Sequence, residues 1–141
     1  MAIKLGSRVM MKATTFKKQI PESSHLNACL DLLSRLGFVV WRSNAGGATY
    51  SHIHKTGIKK GSLSKYFVRY GFKGLPDICG YIPVRDAAAL PLFWEVKRYG
   101  GKLKPDQRSF LEKAMNDGAF AGFGTVDDLQ EKLKKEGFLQ G

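Results

Sequence analysis

The stretch LFWEVKRYGG, residues 92–101, decides the fold, because it has the apolar content of a buried strand and is interrupted by charges. Side chains alternate between the two faces of a strand, so Glu95 and Lys97 share one face while Trp94 and Val96 occupy the other. An ion pair on the solvated face of an edge strand would explain this pattern. The alternative is a site of chemistry, and it needs a second carboxylate at the same place.

That second carboxylate is Asp77, in the segment GLPDICG. The segment PDICGYIP reads as a short strand, and the brief connection VRDAAAL predicts a hairpin with the strand that carries Glu95. Two carboxylates held close together repel, and a divalent cation such as Mg²⁺ removes that cost while it binds waters and phosphate oxygens. Such a cation lowers the pKa of a bound water and neutralises charge on phosphorus. Lys97 would orient the water or stabilise the transition state.

Two helical residues extend this candidate site. Glu22 lies one turn before the first apolar position of the predicted helix PESSHLNACLDLLSRLGF. A role in the site and a favourable interaction of its charge with the helix N-terminus are equally good explanations for it. In the helix KPDQRSFLEKAMNDG, Gln107 is expected to point toward the sheet, where a core amide is the simpler alternative. It shares a stripe with Phe110, Leu111 and Ala114.

The remaining pattern predicts an α/β sandwich around a mixed sheet. The segment FVVWR is typical of a strand, as are KYFVRYGF and AFAGFGTV. Residues 45–65 are rich in Gly, Ser, Thr and Lys, which predicts a loop or mobile flap. The segment VDDLQEKLKKEG predicts a terminal amphipathic helix that serves either the core or a dimer contact.

Charge indicates a polyanionic partner, because 23 Lys+Arg face 12 Asp+Glu for a net +11. No acid occurs between Asp31 and Asp77. A one-sign block interleaved with aromatic residues, Tyr50, Tyr66, Phe67 and Tyr70, favours contact with nucleic-acid phosphates. The cations of this interval are Arg35, Arg42, Lys55, Lys59, Lys60, Lys65, Arg69 and Lys73.

The chain length fits one domain over residues 21–141, preceded by a basic arm at 1–20 for which a transit peptide is the alternative. Cys29 and Cys79 lie in apolar runs and are expected to be reduced core residues of an intracellular protein. No apolar run approaches the ~18 residues of a membrane span. His52 and His54 would share one side of an extended segment, but without further ligands at zinc spacing they are interpreted as exposed loop histidines.

The segments LPDICG, WEVKR and KPDQRSFL together resemble the PD-(D/E)xK nuclease superfamily. Within it the chain is most similar to the virus-type replication-repair nuclease family, VRR-NUC, from about Glu22 to the terminal helix, including VWRSNAGG and GFGTVDDL. The resemblance implies an αβββαβ core, a mixed sheet flanked by helices, and Mg²⁺- or Mn²⁺-dependent hydrolysis of DNA phosphodiesters.

The resemblance also implies roles for single residues. Asp77 and Glu95 would be metal ligands together with the Val96 carbonyl, and Lys97 would be the catalytic lysine. Gln107 would support the site, and Glu22 would be the acid of the first helix. The residues expected to bind DNA are Arg42, Asn44, Lys55, Lys59, Lys60, Lys65, Arg69 and Lys73.

Stand-alone members of this family, often phage-encoded, resemble Holliday junction resolvases and act as homodimers. The implied function is therefore an endonuclease selective for branched DNA, in the cytoplasm of a bacterial host if the chain is phage-encoded. The alternatives are a non-catalytic or shape-nonselective binding module, or a nuclease acting on linear or single-stranded DNA. The residues that would serve either a dimer interface or the core are Phe120, Phe123, Leu133 and Phe138.

Overall fold

The computed structural model describes residues 16–43 and 46–141, and the predicted basic arm lies largely outside these ranges. Residues 16–19 are helical. The main elements are α1 (Glu22–Arg35), β1 (Val39–Arg42), β2 (Gly47–Ile53), β3 (Leu63–Arg69), β4 (Ile78–Ile82), β5 (Leu90–Val96), α2 (Pro105–Asn116), β6 (Phe120–Gly124) and α3 (Val126–Lys135).

Four strands form the central sheet in the order β1-β4-β5-β6. The pairs β1–β4 and β4–β5 are antiparallel, whereas β6 is parallel to β5 and is reached through α2. This arrangement confirms the predicted α/β class with a mixed sheet. It also shows that the edge-strand explanation for Glu95 and Lys97 is wrong, because β5 lies between two neighbours and Glu95 is buried.

Helices cover both faces of this sheet, as the alternation along β5 requires. Trp94 and Val96 belong to the larger cluster, in which the sheet packs against α1 and α3. Phe93 points the opposite way and packs against Leu111 of α2. Glu95 has the same parity as Phe93, and its carboxylate therefore lies on the α2 side of the sheet.

Local chain chemistry sets the ends of the helices. Gly37 ends α1 with φ of +81°, a left-handed conformation that glycine adopts without a Cβ clash. The amide of Phe38 then returns to the Leu33 carbonyl at 3.1 Å. Pro105 begins α2, where its fixed φ suits the first turn, and Thr125 caps α3 by accepting from the Asp128 amide. These signals place α2 and α3 where the sequence predicts them.

The prediction of a loop over residues 45–65 is wrong for residues 47–53 and 63–65, which belong to a second, two-stranded sheet, and holds for the connection between them. Strand β2 pairs antiparallel with β3 from Gly47↔Arg69 to Ile53↔Leu63. Strand propensity depends strongly on context, and here the small and polar residues of β2 obtain their backbone hydrogen bonds from β3. The β2–β3 hairpin leaves large side chains of both faces exposed, including Tyr66 and Phe67.

Three of the four residues predicted for either an interface or the core belong to the core. Phe120 and Leu133 are buried, and Phe138 packs against the same core, with its ring edge-on to Phe120 at 5.8 Å. Phe123 is the exposed member of the set. The two cysteines are free and buried, as predicted. None of the described helices is long and apolar enough to cross a membrane.

Candidate active site

The register of β4 and β5 brings the two predicted carboxylates together. Ile78 pairs with Trp94, so Asp77 lies opposite Glu95, one step beyond the end of the β4–β5 pairing. Residues directly opposite in an antiparallel pair project on the same face with their Cβ atoms about 5 Å apart. The Asp77 amide donates to Glu95 Oε2 at 3.2 Å, and the Val96 amide donates to Asp77 Oδ2 at 3.0 Å. Each acid is therefore held by the other strand.

Donors from three elements surround the Glu95 carboxylate. Besides the Asp77 amide on Oε2, the Gln107 amide donates from Nε2 to Oε1 at 2.7 Å. The Lys97 ammonium lies 3.1 Å from that same Oε1. The Glu95 residue is only 3% exposed. A carboxylate with this many donors is fixed in orientation, as a ligand or catalytic acid must be.

Burial raises the pKa of both acids, and repulsion from Asp77 adds to this effect at Glu95. Desolvation, followed by the charge of Asp77, raises the pKa of Glu95 from 4.5 to about 7, against the lowering effect of Lys97. Desolvation also raises the pKa of Asp77, while the hydrogen bond from the Val96 amide opposes it. Paired carboxylates with raised pKa values in a polar recess are typical of functional sites, where a cation would relieve their repulsion.

Lys97 lies just beyond the end of β5 and points into the site. Its amide donates to the Gly124 carbonyl of β6 at 3.0 Å, which fixes the backbone at this position. The side chain is 12% exposed and ends at Glu95. A lysine ammonium held in this way presents its remaining protons to whatever binds beside the two carboxylates.

Gln107 has the orientation that the sequence predicts. It is the third residue of α2, and its Oε1 accepts from the Lys104 amide at 2.9 Å while Nε2 bonds Glu95. Both ends of the amide are therefore engaged. The side chain is thus a satisfied amide, as the simpler alternative requires, and one of its partners is the Glu95 carboxylate.

Glu22 and Arg42 flank Asp77 with opposite charges. Glu22 is an exposed residue in the first turn of α1, and its charge contributes to the raised pKa of Asp77. Arg42 is the last residue of β1, where it pairs with Ile78, and its charge lowers the pKa of Asp77. Both predicted residues thus lie near the first carboxylate.

Ser43 is a part of the site that sequence reasoning did not single out. Its hydroxyl donates to the Pro76 carbonyl, and its amide donates to the Asp77 carbonyl at 2.7 Å. These two bonds fix the peptide units on either side of the Asp77 α-carbon. The available signal was the WRSN segment at the end of β1, in which a serine follows a strand directly.

Most of the predicted DNA-binding residues lie in or next to the β2–β3 hairpin. Lys55, Lys59 and Lys60 are exposed in the connection of the β2–β3 hairpin, and Lys65 and Arg69 share one face of β3. The predicted DNA-binding residues also include Lys73 and Asn44. Lys73 forms a 3.0 Å ion pair with Asp106 of α2, and Asn44 lies outside the described residues.

The interpretation as exposed loop histidines is wrong for His52, which lies in strand β2, whereas His54 follows the end of that strand and is half-buried. Their rings meet edge to face at 5.0 Å, and His54 Nε2 bonds Ser64 Oγ at 2.7 Å. Across residues 16–43 and 46–141, no three His, Cys, Asp or Glu side chains are grouped to hold a metal ion. A zinc-type centre is therefore absent from this part of the chain.

Comparison with protein families identifies the chain. The VRR-NUC domain model matches residues 20–128, which is most of the sequence. The chain belongs to the VRR-NUC family. This confirms the resemblance noted from the sequence and assigns the fold to a nuclease core. No curated protein and no solved structure gives a significant match.

Proposed function

We propose that this VRR-NUC protein is a metal-dependent endodeoxyribonuclease that hydrolyses phosphodiester bonds at branched DNA. The observation that carries the proposal is the buried cluster of Asp77 and Glu95 bonded to Lys97 and Gln107. The family match supports nuclease activity, and the cluster supplies the groups that such a reaction requires.

The two carboxylates fit Mg²⁺ or Mn²⁺. Mg²⁺ binds through one or two carboxylates, keeps several waters and accepts phosphate oxygens, so a pair of acids without a third suffices. Asp77 and Glu95 would hold the cation, and the Val96 carbonyl stays a predicted third ligand. When bound, the cation supplies a nucleophile at neutral pH and neutralises charge building on phosphorus.

The side chains around the carboxylates would stabilise the transition state, orient Glu95 and bind the phosphate backbone. Lys97 donates to the attacking water or to a phosphate oxygen, where its charge stabilises the transition state. Gln107 keeps Glu95 oriented through its link to the start of α2. Arg42, exposed beside Asp77, binds the phosphate backbone next to the cleaved bond.

The preference for branched DNA is inferred from shape and stoichiometry. None of the described helices is placed as a base-reading recognition helix; α1, α2 and α3 pack on the sheet. One such site cuts one strand, and a four-way junction needs nicks on two strands, which a two-fold homodimer supplies. Phe123, exposed on β6, remains available for an interface.

Cleavage of labelled four-way junctions, flaps, duplex and single strands with and without Mg²⁺ or Mn²⁺ tests the proposal. Asp77→Asn, Glu95→Gln and Lys97→Ala are each expected to abolish cutting while DNA binding persists, and binding to the two acid variants should tighten as a negative charge is lost. Wild-type cleavage by the Asp77 variant would refute the site. If light scattering shows a monomer at all concentrations, the proposed homodimer is refuted. If linear duplex is cut as fast as a four-way junction, the proposed preference for branched DNA is refuted.

A further inference from the structure

A second recess lies at the base of the β2–β3 hairpin, outside the carboxylate cluster. It is a cavity of about 270 Å³, open to solvent. Its lining combines two glycines, three aromatic rings and two cations, which are Gly46, Gly47, Phe67, Tyr70, Phe72, Arg69 and Lys73. Small-ligand sites are concave and mostly apolar with a few convergent polar groups, and this composition suits a ligand that has both a flat ring and a negative charge.

Phe67 is held in place as one wall of this recess. Strand pairing sets it diagonal to Gly47, and a Cβ at residue 47 would overlap the Phe67 ring. The ring therefore lies across the bare backbone of β2, as aromatic residues do beside a glycine on a neighbouring strand. Phe67 is nevertheless 61% exposed, so that part of its ring remains open to solvent. A fixed and open ring loses little conformational freedom when a second flat group stacks on it.

The hairpin's other face does not offer an equivalent surface. There the rings of Tyr50 and Tyr66 stack on each other at 5.7 Å. The hydroxyl of Tyr50 is hydrogen-bonded to that of Tyr70. Tyr50 and Tyr66 are thus engaged with each other, and Tyr70, which also lines the recess, is tied to Tyr50 through its hydroxyl, whereas the ring of Phe67 contacts backbone and faces the recess. The stacking surface is thus on the Phe67 face.

The positive charge around the recess indicates which kind of molecule binds there. Arg69 is exposed at its rim, and no described acid lies within ion-pair distance of it, while Asp106 already neutralises Lys73. The hairpin contains no acid, so a second copy would be repelled by like charge, and a nucleic acid would be attracted. A base within a duplex is covered by its neighbours, and only an unpaired base exposes its face to an aromatic ring.

The recess is also close to the candidate catalytic acids along the chain. Ser43 bonds the Asp77 carbonyl, and Gly46 follows three residues later. Three residues span at most about 11 Å, so the start of the recess lies within a few nucleotides of the carboxylate pair, at about 3.4 Å per nucleotide in B-DNA.

We propose that this recess binds one unpaired nucleotide of the DNA substrate, with the base stacked on Phe67 and its phosphate on Arg69. The inference rests on the proposed action on DNA and narrows the substrate to branched DNA in which a base beside the cleaved bond is unpaired, or becomes unpaired at the branch point when the protein binds. Stacking tolerates any base, so the site adds a preference for structure and none for sequence.

Binding in EDTA separates this inference from catalysis, because no cleavage is required. Fluorescence anisotropy would compare a short single-stranded DNA, its duplex, and the RNA of the same sequence. Phe67→Ala should weaken single-strand binding about 5- to 150-fold, the usual loss when one stacked base is released, and leave duplex binding within about twofold. Phe67→Tyr should retain binding. Leu63→Ala, an exposed apolar change near the tip on the same face, should have no effect.

Stacking is measured with a single-stranded DNA that carries the fluorescent base 2-aminopurine. The wild-type protein should quench the emission of this base, and the Phe67→Ala variant should not. Equal losses for duplex and single strand, or no loss, would overturn the inference, as would tighter binding of the RNA. Intact duplex binding by the Phe67 variant shows that it is folded. If binding behaves as expected while no DNA is cut, the nuclease proposal fails and the nucleotide site stands.

Discussion

The Gln107 side chain donates a hydrogen bond of 2.7 Å from Nε2 to Oε1 of Glu95. The same side chain accepts from the Lys104 amide at the start of α2, so the position of the helix is linked directly to a buried carboxylate of β5. The orientation of the Glu95 carboxylate therefore depends on how α2 packs on the sheet. A substitution that disturbs this packing should change the activity of the candidate site, and a substitution in the site should change the stability of the packing.

The first prediction concerns Gln107→Ala. Glu95 would lose one of its donors and its fixed orientation, and changes to groups that orient metal ligands typically cost about 10- to 100-fold in metal affinity or activity. We expect cleavage to fall by about that factor, with a higher Mg²⁺ concentration needed for half-maximal rate. Glu112→Ala, an exposed change in the same helix, is the control. Equal activity and metal dependence for both variants would contradict the role.

The second prediction concerns stability against pH in the metal-free protein. A carboxyl that binds its proton more tightly when folded stabilises the fold fully below its unfolded pKa, and this contribution is lost as pH rises through the folded pKa. For Glu95 these values are 4.5 and about 7. The raised pKa corresponds to about 3 kcal/mol.

Urea denaturation in EDTA checks this. The free energy of unfolding of the wild type, relative to Glu95→Gln, should decrease as pH rises from 4.5 to about 7. Added Mg²⁺ should offset the loss at neutral pH in the wild type, since a ligand that binds only the folded state stabilises it. A difference that is flat or of opposite sign would show that Glu95 is not destabilised by burial and by Asp77.

The third prediction concerns Ser43→Ala. Loss of its hydroxyl leaves the Pro76 carbonyl without this partner and loosens the peptide before Asp77, while the backbone bond from residue 43 remains. We expect a loss of about 1–3 kcal/mol in stability. A lower kcat should accompany it, with unchanged DNA affinity and with Ser43→Thr restoring the rate. Ser62→Ala, which removes an exposed bond to the Lys59 carbonyl, is the control. A stability loss without any change in kcat would make Ser43 purely structural.

Prediction from sequence succeeded where the determining interactions are local. The short connection between the strands of Asp77 and Glu95 predicts the hairpin, and its register then brings the two acids together. It failed where pairing depends on distant residues. Strand β2 has few β-branched residues and is fixed by β3, and the Ser43 hydroxyl meets a carbonyl 33 positions away. Neither the pairing of β2 with β3 nor the hydrogen bond from Ser43 to Pro76 produces a periodic pattern in the local sequence, so neither was predicted.

The last prediction concerns the lysines in the connection of the β2–β3 hairpin, Lys55, Lys59 and Lys60, which are exposed. Removing one lysine that neutralises a phosphate lowers the slope of log affinity against log salt by about 0.9 on duplex DNA. Replacing all three with Ala should therefore weaken binding to every DNA shape and reduce the slope by up to about 3. A double variant, Lys59→Ala with Lys60→Ala, has a charge-matched control in the double Ala variant of Lys134 and Lys135, which are exposed near the end of α3. Unchanged affinity at low salt would mean that the connection faces away from the substrate, whereas an equal effect of the control would mean that only net charge matters.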